Sequence, residues 1–212
     1  MSVVRKGCVS IMGKIDTKKQ QKHDALLDTA FDLFTSQGIN KTSISDIVER
    51  AGVAKGTFYL YFKDKYDIRN RLIAHKASQI FRIADTALHQ TDITDLEDMI
   101  IFLIDNIINQ FNENKILMNF ISKNLSWGIF KNDLLASSET SDVDFYNIFT
   151  TVFEQSPRKY KNPEVLIYMI VELTSSTCYS SILYNEPVGI EELKPYLFDG
   201  IRQILKSQEI IE

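Results

Sequence analysis

The sequence predicts an all-α protein of two parts: an N-terminal three-helix helix-turn-helix head, joined by a long helix to a C-terminal helical domain. Three observations carry that reading. Glycine and proline are scarce, 8 and 4 in 212 residues, which favours long helices over many short strands. Apolar residues recur every three or four positions over stretches too long for strands. Hydrophobic residues make up 44% and charged ones 25%, ordinary for a globular chain long enough to bury a real core.

Residues 1–19 contain Arg5, Lys6, Lys14, Lys18 and Lys19 and no periodic apolar face. They read as a loose basic arm, either a disordered start or an arm that reaches the minor groove or phosphates. A first helix runs from about Lys22 to Ser36, with Leu27, Ala30, Phe31 and Phe34 on one face, and Gly38 closes it. Two short helices joined by a tight turn follow, from Thr42 to Phe62. Ser43 is the expected N-cap of the first, with Asp46 at the third position as in a capping box. Ile44, Ile47 and Val48 form its apolar face, Gly52 ends it in the left-handed conformation, and Val53 plugs the turn. The second short helix spans about Ala54 to Phe62. Phe58 and Phe62, four apart, face inward, which leaves Lys55, Thr57, Tyr59 and Tyr61 for something outside. That layout is a DNA-binding helix-turn-helix, whose second helix enters the major groove.

The segment A-G-V-A-K-G-T-F-Y-L-Y-F-K-D-K, residues 51–65, closely resembles the signature of the TetR family of bacterial transcriptional regulators. The preceding A-L-L-D-T-A-F-D-L-F-T-S-Q-G-I-N-K-T-S-I is similar to that family's first helix and its exit. The resemblance covers about Lys22 to Tyr66; beyond it, only size and helical character fit. At Ala54 the chain departs from the many members that carry Ser or Thr there, so Lys55 and the backbone serve that helix end alone. From position in the motif and from the resemblance, Lys55 is expected on a phosphate and Gly56 at a close backbone approach. Thr57 and Leu60 are expected at base edges or thymine methyls. Tyr59 and Tyr61 should reach phosphates, with Ser43 or Thr42 and Lys65 adding contacts at helix starts.

A fourth helix is expected from about Lys63, with Asp64 and Asp67 suiting its N-terminus and a stripe of Ile68, Leu72, Ile80, Ala84, Ala87 and Leu88. It ends near His89 and forms a stiff link roughly 35–40 Å long. His75 and His89 have no partners at metal-ligand spacing and read as solvated surface. Thr94 or Asp95 caps a helix over about 96–112, with Met99, Leu103, Ile107 and Phe111 buried. Another follows over about 115–127, then a connector over 131–142 and a helix over about 143–155. The basic run P-R-K-Y-K-N at 157–162 reads as a solvated loop. The last two helices span about 163–184 and 190–206, with Leu193, Leu197, Ile201, Ile204 and Leu205 on one side of the latter. Pro195 either delays its start or bends it. The small residues Thr174, Ser175, Ser176, Thr177, Ser180 and Ser181 permit close helix approach, and the resemblance implies a homodimer through 163–206. The domains are therefore expected at 1–19, 20–66 and 67–212.

Charge distribution agrees with this division. Residues 1–90 carry 15 Lys and Arg against 9 Asp and Glu, whereas residues 91–212 carry 9 against 19. A basic part on an acidic remainder fits one domain at the phosphates and another held away from them. Two cysteines, Cys8 and Cys178, give neither a disulfide framework nor a metal site, which points to a reducing cytoplasm. No signal-peptide run is expected, and the apolar stretch Val165–Val171 stops at Glu172, short of a membrane span.

No Gly-rich phosphate loop, G-x-S-x-G, H-E-x-x-H or C-x-x-C motif is present, so the sequence points away from an enzyme and calls for no cofactor and no metal. Aromatic and Met side chains in the second half either fill a core or line a small-molecule pocket. The resemblance implies that some enclose an effector. Trp127, beside Gly128, is the first candidate, followed by Met118, Tyr146 and Tyr168. The expected protein is a homodimeric repressor released from a pseudo-palindromic operator on double-stranded DNA by a small, largely apolar effector. The alternative is a DNA-targeted protein-interaction module with no effector.

Overall fold

A computed structural model describes residues 6–124, 153 and 156–210, with side chains from residue 17 to 122 in the first span. Among the described residues there are eight helices and no strand. They are α1 (Lys6–Ser36), α2 (Ile44–Arg50), α3 (Lys55–Tyr61), α4 (Lys65–Leu88), α5 (Leu96–Glu113), α6 (Lys115–Asn124), α7 (Pro163–Tyr184) and α8 (Ile190–Gln208). The chain divides into two compact units, Met1–Leu72 and Ile73–Glu212, and α4 contributes residues to both.

In the first unit, Leu26, Leu27, Ala30, Leu33 and Phe34 of α1 are buried, as are Ile47 and Val48 of α2 and Phe58 of α3. Phe62, Ile68 and Leu72 are buried with them. Phe31, expected inward, is only half-buried; Leu26 and Leu33 take its place. The expected loose arm is corrected from Lys6 onward: α1 begins there rather than near Lys22. Lys-Lys-Gln-Gln-Lys at 18–22 are good helix formers with no proline to stop them. Residues 17–22 are exposed, so over that stretch the missing apolar period signified a helix with no buried face, not the absence of a helix.

α2 is built by local signals. The Ser43 Oγ accepts from the Asp46 N–H at 3.1 Å, and the Asp46 carboxylate accepts from the Ser43 N–H at 2.8 Å, a complete capping box. At the other end Gly52 has φ +67°, and its N–H donates to the Glu49 carbonyl while that of Val53 donates to Val48. This Schellman arrangement turns the chain and delivers it to α3. Gly38, at φ +86°, takes the same left-handed conformation after α1. Asp64 starts α4 by accepting from the N–H groups of Tyr66 and Asp67.

The second unit buries one continuous core from Phe81, Ala84 and Leu88 of α4 through α5, α6, α7 and α8. Asp95 caps α5, accepting from Glu97 and Asp98. The buried row of α5 is Leu96, Ile100, Leu103, Ile104 and Ile108, which shares only Leu103 with the expected row. Met99, Ile107 and Phe111 are half-buried, because α5 is apolar over so wide an arc that spacing alone does not select its inward row. The stretch over 157–162 is also more than a solvated loop. Arg158 pairs with Asp95 at 3.1 Å and with Glu97, and these partners hold its guanidinium above the usual range. Tyr160 is buried and its backbone bridges to Glu209. The helix expected over 143–155 lies outside the described residues, apart from Phe153.

α7 and α8 pack on one another, α7 also on α5 and α6, and α8 also on α5. α8 begins at Ile190, ahead of Pro195, so the proline does not delay its start. Lys194 on α8 is buried with its Nζ 2.6 Å from Asn109 Oδ1 and 3.0 Å from both Asp105 and Glu191. Burial opposes its charge, but the hydrogen bonds to the two carboxylates more than offset this and hold its pKa up. α7 is apolar on all sides. It is 22 residues long and its most apolar 18-residue window has mean hydropathy 1.3, so by length and composition it is long and apolar enough to cross a membrane, where the sequence reading counted only the run Val165–Val171. Core helices pass the same test, yet only 33% of this one's most apolar window is buried within the single chain.

Candidate nucleic-acid interface

α3 has two sides. Phe58 and Phe62 anchor the inner one at 0% and 1% exposure, while Tyr59 and Leu60 stand out at 54% and 80%. Lys55 and Gly56 are exposed with them, and Thr57 is half-buried at the margin. The helix start is uncapped by any side chain: Ala54 has extended backbone and offers only its carbonyl, which accepts from Thr57 at 2.8 Å. The N–H groups at Lys55 and Gly56 therefore look outward, as first-turn donors do.

Gly56 is informative. It is helical, and a Cβ placed there would meet nothing within 4 Å. The protein's own packing does not require a glycine, which costs about 1 kcal/mol relative to alanine inside a helix. Its missing side chain leaves the helix backbone open to the outside at that point.

Three expected contact residues are placed otherwise. Thr42 is 1% exposed, and its hydroxyl donates to the Gly38 carbonyl at 2.9 Å, so its side chain closes the α1–α2 loop from within. Lys65 directs its Nζ to the carbonyls of Ile39, Asn40 and Thr42 at 3.1, 3.4 and 3.3 Å, which fastens that loop to the start of α4. Tyr61 donates to the Lys19 carbonyl at 3.0 Å and meets His23 edge-on, so its hydroxyl is engaged with α1. Ser43 stays exposed. Its oxygen serves the capping box, but its proton is left to give. The outward set is therefore Ser43, Lys55, Gly56, Thr57, Tyr59 and Leu60.

The second unit holds an apolar cavity of about 140 Å3. Its walls include Phe81 of α4, Ile104, Ile107 and Phe111 of α5, and Met118 of α6. α7 contributes Thr174, Ser175 and Cys178, which were read from sequence only as small residues for close packing. No charged side chain is among these lining residues. Burial pushes the Cys178 thiol up to about 11, so it stays neutral. Tyr168 is 41% exposed on α7 and takes no part in the walls; aromatic character alone misplaced it. Trp127 and Tyr146 lie outside the described residues. Among the described residues no three His, Cys, Asp or Glu gather as metal ligands.

Residues 26–72 match the family model described as bacterial regulatory proteins of the tetR family. The chain is 43% identical over 63 residues to an uncharacterised HTH-type transcriptional regulator, YvdT, of Bacillus subtilis, covering 28% of this chain and 32% of that one. It is 39% identical over 62 residues to a fatty acid metabolism regulator protein of the same organism, covering 29% and 32%. The chain thus spans about a third of the length of these curated relatives. Among solved structures, a putative tetR family transcription regulator from Shewanella sp. PV-4 has a TM-score of 0.64 at 16% identity, with 90% and 99% of the two chains covered. FadR from Bacillus subtilis, in complex with stearoyl-CoA, has a TM-score of 0.61 at 16% identity, covering 84% and 96%. These likenesses show the fold over nearly the whole chain, whereas the family model covers residues 26–72.

Proposed function

From the tetR-family head that this chain carries at residues 26–72, we propose a sequence-specific DNA-binding transcriptional regulator, a homodimeric repressor that a small apolar effector releases from its operator. The observation that carries this is the two-sided α3: an inner side sealed by Phe58 and Phe62, and an outer side of Lys55, Gly56, Thr57, Tyr59 and Leu60 that the protein itself leaves open. Lys55 supplies charge to a phosphate, Ser43 and Tyr59 hydroxyls position the helix, and Thr57 and Leu60 meet base edges.

The dimer is supported by the uncovered apolar surface of the last two helices. Val165, Tyr168 and Met169 of α7 are 46%, 41% and 38% exposed, and Tyr196 of α8 is 72% exposed. An all-round apolar helix is stable only when covered, and a second copy supplies like surface around a two-fold axis. Two heads on that axis then read a pseudo-palindrome whose half-sites lie about one DNA turn, roughly 34 Å, apart or a simple extension of it.

The cavity favours the effector reading over a protein-interaction module, which would have no reason to keep an apolar space in its core. FadR, a structural relative, is in complex with stearoyl-CoA, so this fold admits a ligand with an apolar tail. A ligand between α4, α5, α6 and α7 can act on DNA binding only through unequal affinity for two states of the protein. α4, which belongs to both units, is the element through which it would act. A site for such a regulator is in the cytoplasm, where the DNA is.

The test is selection of genomic DNA fragments on the purified full chain, followed by sedimentation of the selected complex. The reading expects a shared pseudo-palindromic site bound by an even number of chains. Fragments with no common sequence, or one chain per site, would overturn it.

A further inference from the structure

One turn of α1 is fastened to the end of α3. The Tyr61 hydroxyl donates to the Lys19 carbonyl at 3.0 Å. His23 meets the Tyr61 ring edge-on, with centroids 5.5 Å apart, and stacks on Phe62 at 5.4 Å. That turn carries Lys18, Lys19 and Lys22, all exposed. Lys18 and Lys22 are four apart and Lys19 and Lys22 three, so the three ammonium groups form one patch. No carboxylate pairs with them among the described side chains. Asp24, the next acid along the helix, is bonded to Gln20 at 2.8 Å and to His23 at 3.2 Å.

The place of this patch on α3 gives it a use. Residues four apart lie on one side of a helix. Lys55 and Tyr59 therefore share one flank of α3, and Thr57 and Tyr61 share the other. A helix about 10–12 Å across fills a major groove about 12 Å wide, so each flank faces a phosphate strand. On the first flank Lys55 supplies a cation and Tyr59 a free-standing hydroxyl. On the second, α3 offers no cation, and the Tyr61 hydroxyl is engaged with α1. The lysine turn stands there instead.

Resting on the DNA-binding reading above, we propose that Lys18, Lys19 and Lys22 are a second phosphate-binding element, which grips the strand along the Thr57 flank of α3, and that Tyr61 is the positioning residue that holds them there. The patch is about 6 Å long at 1.5 Å per residue, and each DNA strand carries one phosphate per 3.4 Å of axis, so the strand offers a partner to each lysine. Such contacts carry no sequence information; they fix register. Here they fix it beside Thr57, which reads bases from the same flank.

The experiment uses the full chain and the operator it selects, in a salt series and in hydroxyl-radical footprints. Changing Lys18, Lys19 and Lys22 together to Gln should reduce the salt slope by about two to three, so that between 50 and 200 mM salt the wild type loses about 10–40-fold more affinity than the variant. Base preference should not change. Protection of one strand should be lost beside each half-site, while protection within it persists. The same three positions changed to Arg should keep slope and footprint. Tyr61→Phe retains the ring against His23 and loses only the tether; it should weaken the same flanking protection and leave base preference intact. A Gln variant with the wild-type slope and footprint would overturn the inference and leave the regulator reading standing, as would flanking protection unaltered by Tyr61→Phe for the positioning role. Failure of the wild type to select any operator would overturn both.

Discussion

At Ser43 the capping box makes the head sensitive to acid. The Asp46 carboxylate is held below its ordinary value by the hydrogen bonds from the Ser43 backbone and side chain. A lowered folded-state pKa means that this stabilisation is full above the usual aspartate value of about 3.9 and is lost as pH falls through the lower folded value. Ser43→Ala should lower head stability at neutral pH by about 1 kcal/mol. It should also make the acid end of a pH–denaturation profile less steep, with circular dichroism as the readout. The backbone N–H of residue 43, the larger cause of the shift, survives in alanine, so the slope should change only in part; an unchanged slope would mean that the Ser43 hydroxyl contributes nothing to it. Gly56→Ala is expected to act in opposite directions on two readouts. It should raise the melting temperature, by about 0.5–1 kcal/mol of stability, because alanine favours the helix and meets nothing within 4 Å. It should weaken operator binding, because the new methyl stands where the DNA backbone approaches. A variant more stable and equally tight on DNA would remove Gly56 from the interface.

At the level of the element, what the sequence discloses is what neighbours within a few residues decide. Ser43, Asp46 and Gly52 start and stop α2 through bonds no more than five residues long, so its bounds and turn are legible from the string. Pro163 and Asn162 mark the start of α7 in the same way. The side from which a polar residue is used is another matter. Tyr61 turns toward Lys19 and Lys65 toward Ile39, Asn40 and Thr42, contacts 23 to 42 residues apart that no local pattern encodes. The cavity was hidden for a related reason. Its walls are mostly aliphatic residues indistinguishable in sequence from core, and Thr174 sits within a run of small residues suited equally to packing. Lys65→Met tests the corrected role. It should destabilise the head by about 1–2 kcal/mol in chemical denaturation, since charge-assisted bonds to three carbonyls are lost. The salt slope of DNA binding should be unchanged. A slope smaller by about one would put this lysine on a phosphate after all.

For the whole molecule, the uncovered face of α7 is the feature that a single chain does not explain. Met169→Glu places a charge on a residue 38% exposed in the isolated chain, and so should cost the monomer little. In a dimer closed over α7 and α8 the same charge is buried without a partner, which is expensive. Sedimentation should therefore shift from twice the 24.4 kDa chain mass toward a single chain, with the helical signal retained. A wild type that sediments as one chain at micromolar concentration would leave two-fold operator reading without a basis.

The central claim is that the outer side of α3 reads DNA. Its most direct test is the binding of the selected operator and a set of single-base variants, across a salt series, by wild type, Lys55→Ala and Thr57→Ala. Lys55→Ala should weaken all sequences alike and reduce the salt slope by about one, as removal of a phosphate contact does. Thr57→Ala should change which base is preferred at one position of each half-site, by roughly 1–3 kcal/mol. Full affinity, unchanged slope and unchanged preference in both variants would contradict the account.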